Sequence, residues 1–257
     1  MSGPRLPNKV AIVTGAGSGI GRATAIRFAE EGAKVVAADI NEETGRHTIE
    51  QIKAAKGEAT FVKVDVSLEA DIEGMVRAAV EGYGKLDILI NNAGAAGNDW
   101  DGTTLEDWHR LIDVNLTSIF LGCKYAIPEM RKQGGGSVVN IASIAGLIGS
   151  PALAPYGATK GGVVLLSKSL AKKLGKENIR VNCICPGPVE TGLTLDFLGR
   201  PATPEEENKK RVARLALVPM GRWSQPEEIA PAILFLASDE ASFVTGIVFP
   251  VGGGCNA

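Results

Sequence analysis

KVAIVTGAGSGIGRATAIRFAEEGAKVVAAD, from Lys9 to Asp39, lays out a strand, a glycine-rich turn, a helix and a second strand without interruption. The opening KVAIVT is apolar at nearly every position, as a strand covered on both faces requires. TGAGSGIG, Thr14 to Gly21, follows at once, and a helical segment from Ile20 to Glu31 ends at Gly32, a residue suited to the left-handed C-cap. A plain tight turn needs one glycine, and this junction carries three at the spacing G-x-x-x-G-x-G. Gly15 makes the tight turn, Gly19 admits a phosphate to the backbone N–H groups, and Gly21 lets the helix pack closely on the strand. Ser18 and Ile20 lie beside them at the positive end of the helix dipole, where a pyrophosphate is favoured.

The same alternation continues outward. Short Val- and Ile-rich runs recur at Ala59 to Val64, Leu86 to Ile90, Ser137 to Ala142 and Ile179 to Ile184, with a weaker one at Ile247 to Phe249. Helical patterns fill the gaps. Seven parallel strands with helices on both faces are expected, an α/β, Rossmann-like doubly wound sheet. No repeat, low-complexity tract or composition break divides the 257 residues, so a single dinucleotide-binding and catalytic domain over residues 1–257 is expected. The helical segments Leu105 to Arg131 and Tyr156 to Gly175 are long and apolar. In the second, Val163, Val164, Leu165, Leu166, Leu170 and Leu174 cover more than one face, which suits either a subunit interface or a helix buried within one chain. Gly192 to Glu207 has no clear period and is expected to be a flexible loop of the kind that serves as a lid.

Composition removes several function classes. With 27 Lys+Arg against 29 Asp+Glu and no block of like charge, the chain has no footprint for nucleic acid or an anionic membrane. The N-terminal MSGPRLPNK lacks the apolar core of a signal peptide, and no apolar run is long enough to span a bilayer, so a cytoplasmic protein is expected. Cys123, Cys183, Cys185 and Cys255 have neither C-x-x-C spacing nor a nearby His, so no metal site is expected. His47 and His109 sit among polar residues and are expected on helix surfaces.

Asp39 stands 20 residues after Gly19, where a carboxylate accepts hydrogen bonds from an adenosine ribose and repels a 2′-phosphate. That predicts NAD over NADP, although Asp39 would also serve to cap the helix beginning near Asn41. Asp65 and Val66 follow the third strand, placed to meet the adenine, and the run NNAG puts Asn91, Ala93 and Gly94 at the carboxyl edge of the fourth. After the fifth strand comes Ser143, and the segment PYGATK then places Tyr156 and Lys160 on one face of a helix whose start Pro155 fixes. A neighbouring ammonium and a positively charged nicotinamide would both favour the phenolate, giving Tyr156 acid/base capacity against an alcohol or carbonyl. Ser143 would hold the substrate oxygen.

TGAGSGIG, NNAG, Asn115, Ser143, Tyr156 with Lys160, and Pro186-Gly187 together closely resemble the short-chain dehydrogenase/reductase family in its compact form, over nearly the whole chain. The resemblance implies that Asn115 holds a water linking Lys160 to solvent and that Lys160 also binds the nicotinamide ribose. It implies as well that Pro186 to Thr191 covers the nicotinamide, with Val189 and Thr191 near its carboxamide, and that the chain forms a homotetramer through its two long helices and its C-terminal segment. Three positions depart from the family's habit: Gly157 where Ser is frequent, Ser224 where Gly is common, and Gly252 where an Asp is usual.

A wall of Ala95, Ala96, Ile144, Ala145, Leu153, Pro188 and the 192–207 segment, with Arg200 its one cation, suits an apolar or cyclic secondary alcohol or the matching ketone. Two rivals remain. One is a 3-oxoacyl-thioester (acyl carrier) reductase using NADPH, and the other is a non-catalytic dinucleotide-sensing protein.

Overall fold

The computed structural model describes residues 3–149, 153–199 and 201–256, so Arg200 lies outside the described residues. The strands are β1 (Val10–Thr14), β2 (Lys34–Asp39), β3 (Glu58–Lys63), β4 (Ile88–Asn91), β5 (Gly136–Ile141), β6 (Ile179–Pro186) and β7 (Val248–Val251). All pair in parallel in the order β3-β2-β1-β4-β5-β6-β7, a Rossmann-like sheet. β1 pairs on one side with β2, Val10 opposite Lys34, and on the other with β4, Ala11 opposite Ile88. Strand order therefore reverses between β1 and β4, and a crevice opens above their carboxyl ends.

Helices α1 (Gly19–Glu30), α2 (Glu42–Ala54) and α3 (Glu69–Tyr83) make the first crossovers. Further along come α4 (Leu105–Ile112), α5 (Ser118–Lys132), α6 (Ala145–Ile148), α7 (Ala154–Leu174), α8 (Gly192–Phe197), α9 (Pro204–Leu215) and α10 (Pro226–Ala237). The two-residue period of the strands sorts their side chains between two cores. Val10, Ile12, Val36 and Ala38 pack with Met75 of α3, Met130 of α5 and Val163 of α7. Ala11, Val13, Val35 and Ala37 pack with Phe28 of α1, Ile52 of α2 and Ile233 of α10. Both faces are covered, which is why these strands read as continuous apolar runs.

Two segments differ from their expected form. Leu105 to Arg131 is not one α-helix, because a π turn, Asp113–Thr117, separates α4 from α5 and carries Asn115. Gly192 to Glu207 is not a loop, since it contains α8 and the start of α9. Thr203 caps α9 by accepting from Glu206 N (3.2 Å), Pro204 occupies its first turn, and Glu205, Glu206 and Glu207 complement the dipole. No residue of α9 is fully buried, so the apolar stripe that would have announced a helix is missing.

The three departures from the family's habit have local reasons. A Cβ on Gly157 would lie 2.9 Å from the Ala145 carbonyl, so glycine lets α6 press onto α7. A Cβ on Gly252 would lie 2.0 Å from Ile144 Cδ1, so the Ile144 side chain fills the space a carboxylate would need. Ser224 binds the Pro188 carbonyl through both its N–H and its hydroxyl, each at 3.1 Å, pinning the chain just before Val189. His47 and His109 are exposed on α2 and α4, and among the described residues no helix is long and apolar enough to cross a membrane.

Candidate active site

A cleft of about 880 Å³ occupies the crevice at the carboxyl ends of the strands. Its first wall is the glycine turn. Gly15 and Gly19 adopt φ +66° and +50°, a region that L side chains avoid. A Cβ on Gly21 would lie 2.0 Å from the Gly15 carbonyl, so this third glycine sets the helix-to-strand packing and does not itself line the cleft. Ser18 holds the N-cap position of α1 with its hydroxyl making no cap bond to the helix, and the first turn has no acidic residue. The result is a positive helix end whose donors face a cleft lined by Gly15, Ser18, Gly19 and Ile20.

Asp39 caps nothing on α2; Asn41 does, accepting from Thr44 N at 3.1 Å. The Asp39 carboxylate instead accepts from Gly17 N (2.7 Å) and Asn41 N (2.9 Å), which orients it beside the glycine turn. Four lone-pair directions serve two N–H donors, so acceptor capacity remains toward the cleft that Asp39 lines. Asp65 and Val66 line the same end, with Asp65 Oδ1 accepting from the Ser67 N–H (2.9 Å) and hydroxyl (2.6 Å).

Asn91 needs a correction. Its side chain turns into the core, where Nδ2 donates to Asn140 Oδ1 at 2.8 Å, and Asn140 in turn donates to Ser167 Oγ at 2.9 Å. Asn92, one residue on, takes the place beside the glycine turn: its Nδ2 donates to the Thr14 carbonyl (2.8 Å), while Thr14 Oγ1 accepts from Asn92 N (2.9 Å) and Ala93 N (3.0 Å). These bonds tie β1 to the end of β4 and present Ala93 and Gly94 to the cleft.

Ser143, Tyr156 and Lys160 meet on the opposite wall, Ser143 from the end of β5 and the other two from the first turns of α7. Tyr156 is 5% exposed and Lys160 3%. Lys160 Nζ donates to the Ile141 carbonyl at 2.9 Å and stands 5.6 Å from the centre of the Tyr156 ring. Burial pushes Lys160 down to about 8, with the Cys183 and Cys185 thiols opposing the shift. Burial also holds the Tyr156 phenol well above its ordinary value, offset in part by the Ser143 hydroxyl. The expectation that a neighbouring ammonium draws the phenol down is thus corrected for the protein groups by themselves: desolvation wins, and further positive charge is needed to favour phenolate.

Asn115 does not line the cleft. Its Oδ1 accepts from Ala95 N (2.8 Å), and its Nδ2 donates to Ala95 O (3.0 Å) and to Thr159 Oγ1 (3.3 Å), which fastens the π turn to the β4 loop and to α7. Gly94 lies between Asn115 and Lys160, since a Cβ there would be 3.3 Å from Asn115 Oδ1 and 3.5 Å from Lys160 Nζ. Pro186, Gly187, Val189 and Thr191 line the same cleft. Phe197 comes from the 192–207 segment, whereas Arg214, Leu217 and Trp223, beyond it, line the cleft without having been named from the sequence. Phe197 meets the Tyr156 ring edge-on at 4.8 Å.

A sequence model of the family described as Enoyl-(Acyl carrier protein) reductase matches residues 15–256. The chain belongs to the short-chain dehydrogenase/reductase family. It is 42% identical to 2,5-dichloro-2,5-cyclohexadiene-1,4-diol dehydrogenase of Sphingobium indicum, over 97% of both chains. Among solved structures it is similar to levodione reductase, with TM-score 0.92 and 36% identity over 97% of this chain and 98% of that one. It is also similar to 3-ketoacyl-(acyl-carrier-protein) reductase from Brucella melitensis, solved in complex with NADH, with TM-score 0.89 and 36% identity over 98% and 100% of the two chains.

Members of this family are oxidoreductases that bind a nicotinamide dinucleotide, and the residues present fit that group. The donor-rich, acid-free end of α1 suits a pyrophosphate, and close packing about Gly15 and Gly19 leaves room for backbone approach where a side chain would obstruct it.

Proposed function

We propose that the protein is an NAD(H)-dependent oxidoreductase that interconverts a secondary alcohol and a ketone on a small, largely apolar or cyclic substrate. One observation carries this reading: Ser143, Tyr156 and Lys160 share a single cleft with the glycine turn and Asp39. The dinucleotide supplies the hydride acceptor or donor and, when oxidised, a positive charge near the phenol. Tyr156 Oη takes the hydroxyl proton in alcohol oxidation and returns it in ketone reduction. Lys160 favours the phenolate through its charge, and Ser143 Oγ holds the substrate oxygen. Asn115, with its side chain committed to Ala95 and Thr159, fixes the position of the wall next to Lys160.

Asp39 supports NAD over NADP, because a carboxylate at the ribose position repels a 2′-phosphate. Ile144, Leu153, Pro188 and Phe197 support an apolar substrate body, and the dehydrogenase of Sphingobium indicum acts on a cyclic diol by its name. A second reading, reduction of a 3-oxoacyl thioester, is supported by the Brucella neighbour, whose complex with NADH removes cofactor choice as an argument against it. Phe120 and Leu165, exposed on α5 and α7, and Phe243 near the C-terminal strand support a homotetramer, to be checked by light scattering in solution, of a protein we place in the cytoplasm.

The test is formation and consumption of reduced nicotinamide with NAD and NADP over a panel of cyclic alcohols, ketones and an acetoacetyl thioester, each beside Tyr156→Phe. Turnover of cyclic alcohols with NAD, lost in the variant, is expected. Turnover of the thioester alone selects the second reading, and binding of NAD without turnover of anything selects a sensor.

A further inference from the structure

Among the cations of α9, Arg214 is the one left facing the cleft without a carboxylate. Lys210 pairs with Glu206 at 2.8 Å, and Arg211 with Glu190 at 2.6 Å and Glu207 at 2.7 Å. Among the described residues no carboxylate pairs with Arg214, and its one acceptor is the Phe197 carbonyl, 2.8 Å from Nη2. Its guanidinium lies 5.9 Å from the centre of the Phe197 ring, and that ring in turn abuts Tyr156. One donor of five is thus used, on a half-buried group that lines the cleft. Burial disfavours its charge, yet a guanidinium stays protonated at neutral pH, so the cost of desolvation stands.

The remaining N–H donors of Arg214 belong to a side chain that lines the cleft, where a ligand can supply the acceptors. A purely hydrocarbon substrate would cover the charge without pairing it. A neutral oxygen would take one donor, but only an anion also offsets the unpaired charge, through bonds about twice as strong.

We infer that the substrate carries an anionic group, a carboxylate or similar oxyanion, recognised by Arg214 across the Phe197 ring from the carbinol that Tyr156 serves. The inference rests on the alcohol–ketone reading of this cleft and narrows its substrate to hydroxy or oxo acids with an apolar spacer. It also revises the expectation of a wall with no cation other than Arg200, since Arg214 arrives from an element distant in sequence.

Two measurements separate this inference from the reading beneath it. In the first, kcat/KM with NAD is compared for trans-4-hydroxycyclohexanecarboxylate and cyclohexanol in wild type, Arg214→Gln and Arg214→Lys. The acid is expected to be preferred by about tenfold or more, mainly through KM. Arg214→Gln should abolish the preference and Arg214→Lys restore part of it, which a merely structural role of the side chain would not do. In the second, calorimetry follows unreactive cyclohexanecarboxylate binding to the protein with NADH, and NADH binding alone. Carboxylate affinity should fall about tenfold in Arg214→Gln while NADH affinity holds. A preference ratio unmoved by Arg214→Gln overturns the inference, as does an equal loss of NADH affinity, which would assign Arg214 to the dinucleotide's own phosphates. Cyclohexanol turnover without tighter carboxylate binding sinks the anion site and spares the alcohol reading. Carboxylate binding without turnover of any alcohol does the reverse.

Discussion

At the Gly15–Gly21 end of the cleft, polar groups are locked to one another by short backbone bonds: Thr14 with Asn92 and Ala93, Asp39 with Gly17 and Asn41. At the Phe197–Trp223 end the wall is made of two short surface helices and the chain after them, and it holds a guanidinium that no carboxylate among the described residues pairs. The difference follows from what each end must do. A dinucleotide is the same molecule in every turnover, so the site proposed for it gains from a rigid framework that holds its free donors and acceptors in place. Substrate recognition needs groups that stay unsatisfied until the right ligand arrives, and such groups are tolerated only where the local structure is not the main source of stability. Tyr156 and Lys160 stand at the junction, on the buried first turns of α7.

The largest effect should come from that junction. Tyr156→Phe removes the oxygen proposed to transfer the proton and keeps the ring that packs on Phe197, so kcat should fall by about 10³-fold. NADH affinity, read by fluorescence titration, should hold within a few-fold, because the hydride partner's site lies mainly on the glycine turn. A variant retaining a tenth of its kcat would show that another group moves the proton.

Next in size is Gly21→Ala, which tests whether the first end is as rigid as its contacts imply. The new Cβ would meet the Gly15 carbonyl at 2.0 Å and Asn92 Nδ2 at 2.5 Å, and neither can retreat without moving β1 or β4. A loss of about 3 kcal/mol, read from denaturant midpoints, is expected. By contrast Leu217→Ala, at the exposed second end, should shift stability by no more than about 0.5 kcal/mol. Equal costs at the two sites would erase the contrast.

Legibility in the sequence follows the same division. The β1–α1–β2 unit could be read because its strand, turn, helix and acid are contiguous, and each obeys a local rule. Ser143, Tyr156 and Lys160 could be named from their positions after β5 and along one helix face, although the parallel register of β5 and β6 is what brings them together. Asn91 was mistaken for Asn92 because adjacent residues of a strand point to opposite faces, and a one-residue ambiguity there exchanges core for cleft. Arg214 had no local signal at all. Its helix buries no residue fully, and its importance arises only from what α9 lies above. The phenol's acidity went astray because distance to an ammonium was legible and depth of burial was not.

Asp39→Asn sharpens the account of cofactor choice. The amide keeps one oxygen to accept from the Gly17 or Asn41 N–H and nearly the same shape, while the charge proposed to exclude a 2′-phosphate is gone. The ratio of kcat/KM for NAD over NADP should fall by about tenfold to a hundredfold. An unchanged ratio would move the discrimination to another residue, with Arg22 of α1, bonded to the Gly17 carbonyl, the first to test.

The smallest effect lies in stability against pH at Lys160. Buried, its ammonium loses a proton at about 8 in the folded protein, against 10.5 for an ordinary lysine. Below pH 8 both folded and unfolded chains hold the proton, and the full cost of burying charge weighs on the fold. Between about 8 and 10 the unfolded chain binds a proton that the folded one has released, so stability contributed by this group rises with pH. Tyr156 acts in the other sense: its raised folded value contributes stability below pH 10 that is lost above it, so the useful window ends there. Lys160→Met should therefore be more stable than wild type at pH 7, by about 1 kcal/mol once the lost bond to the Ile141 carbonyl is counted, and the gap should close by pH 10. The variant should also lose most of its turnover. A gap that stays constant with pH would mean that Lys160 is not titrating in the fold, and the cost of the buried ammonium would then have to lie in the packing around it.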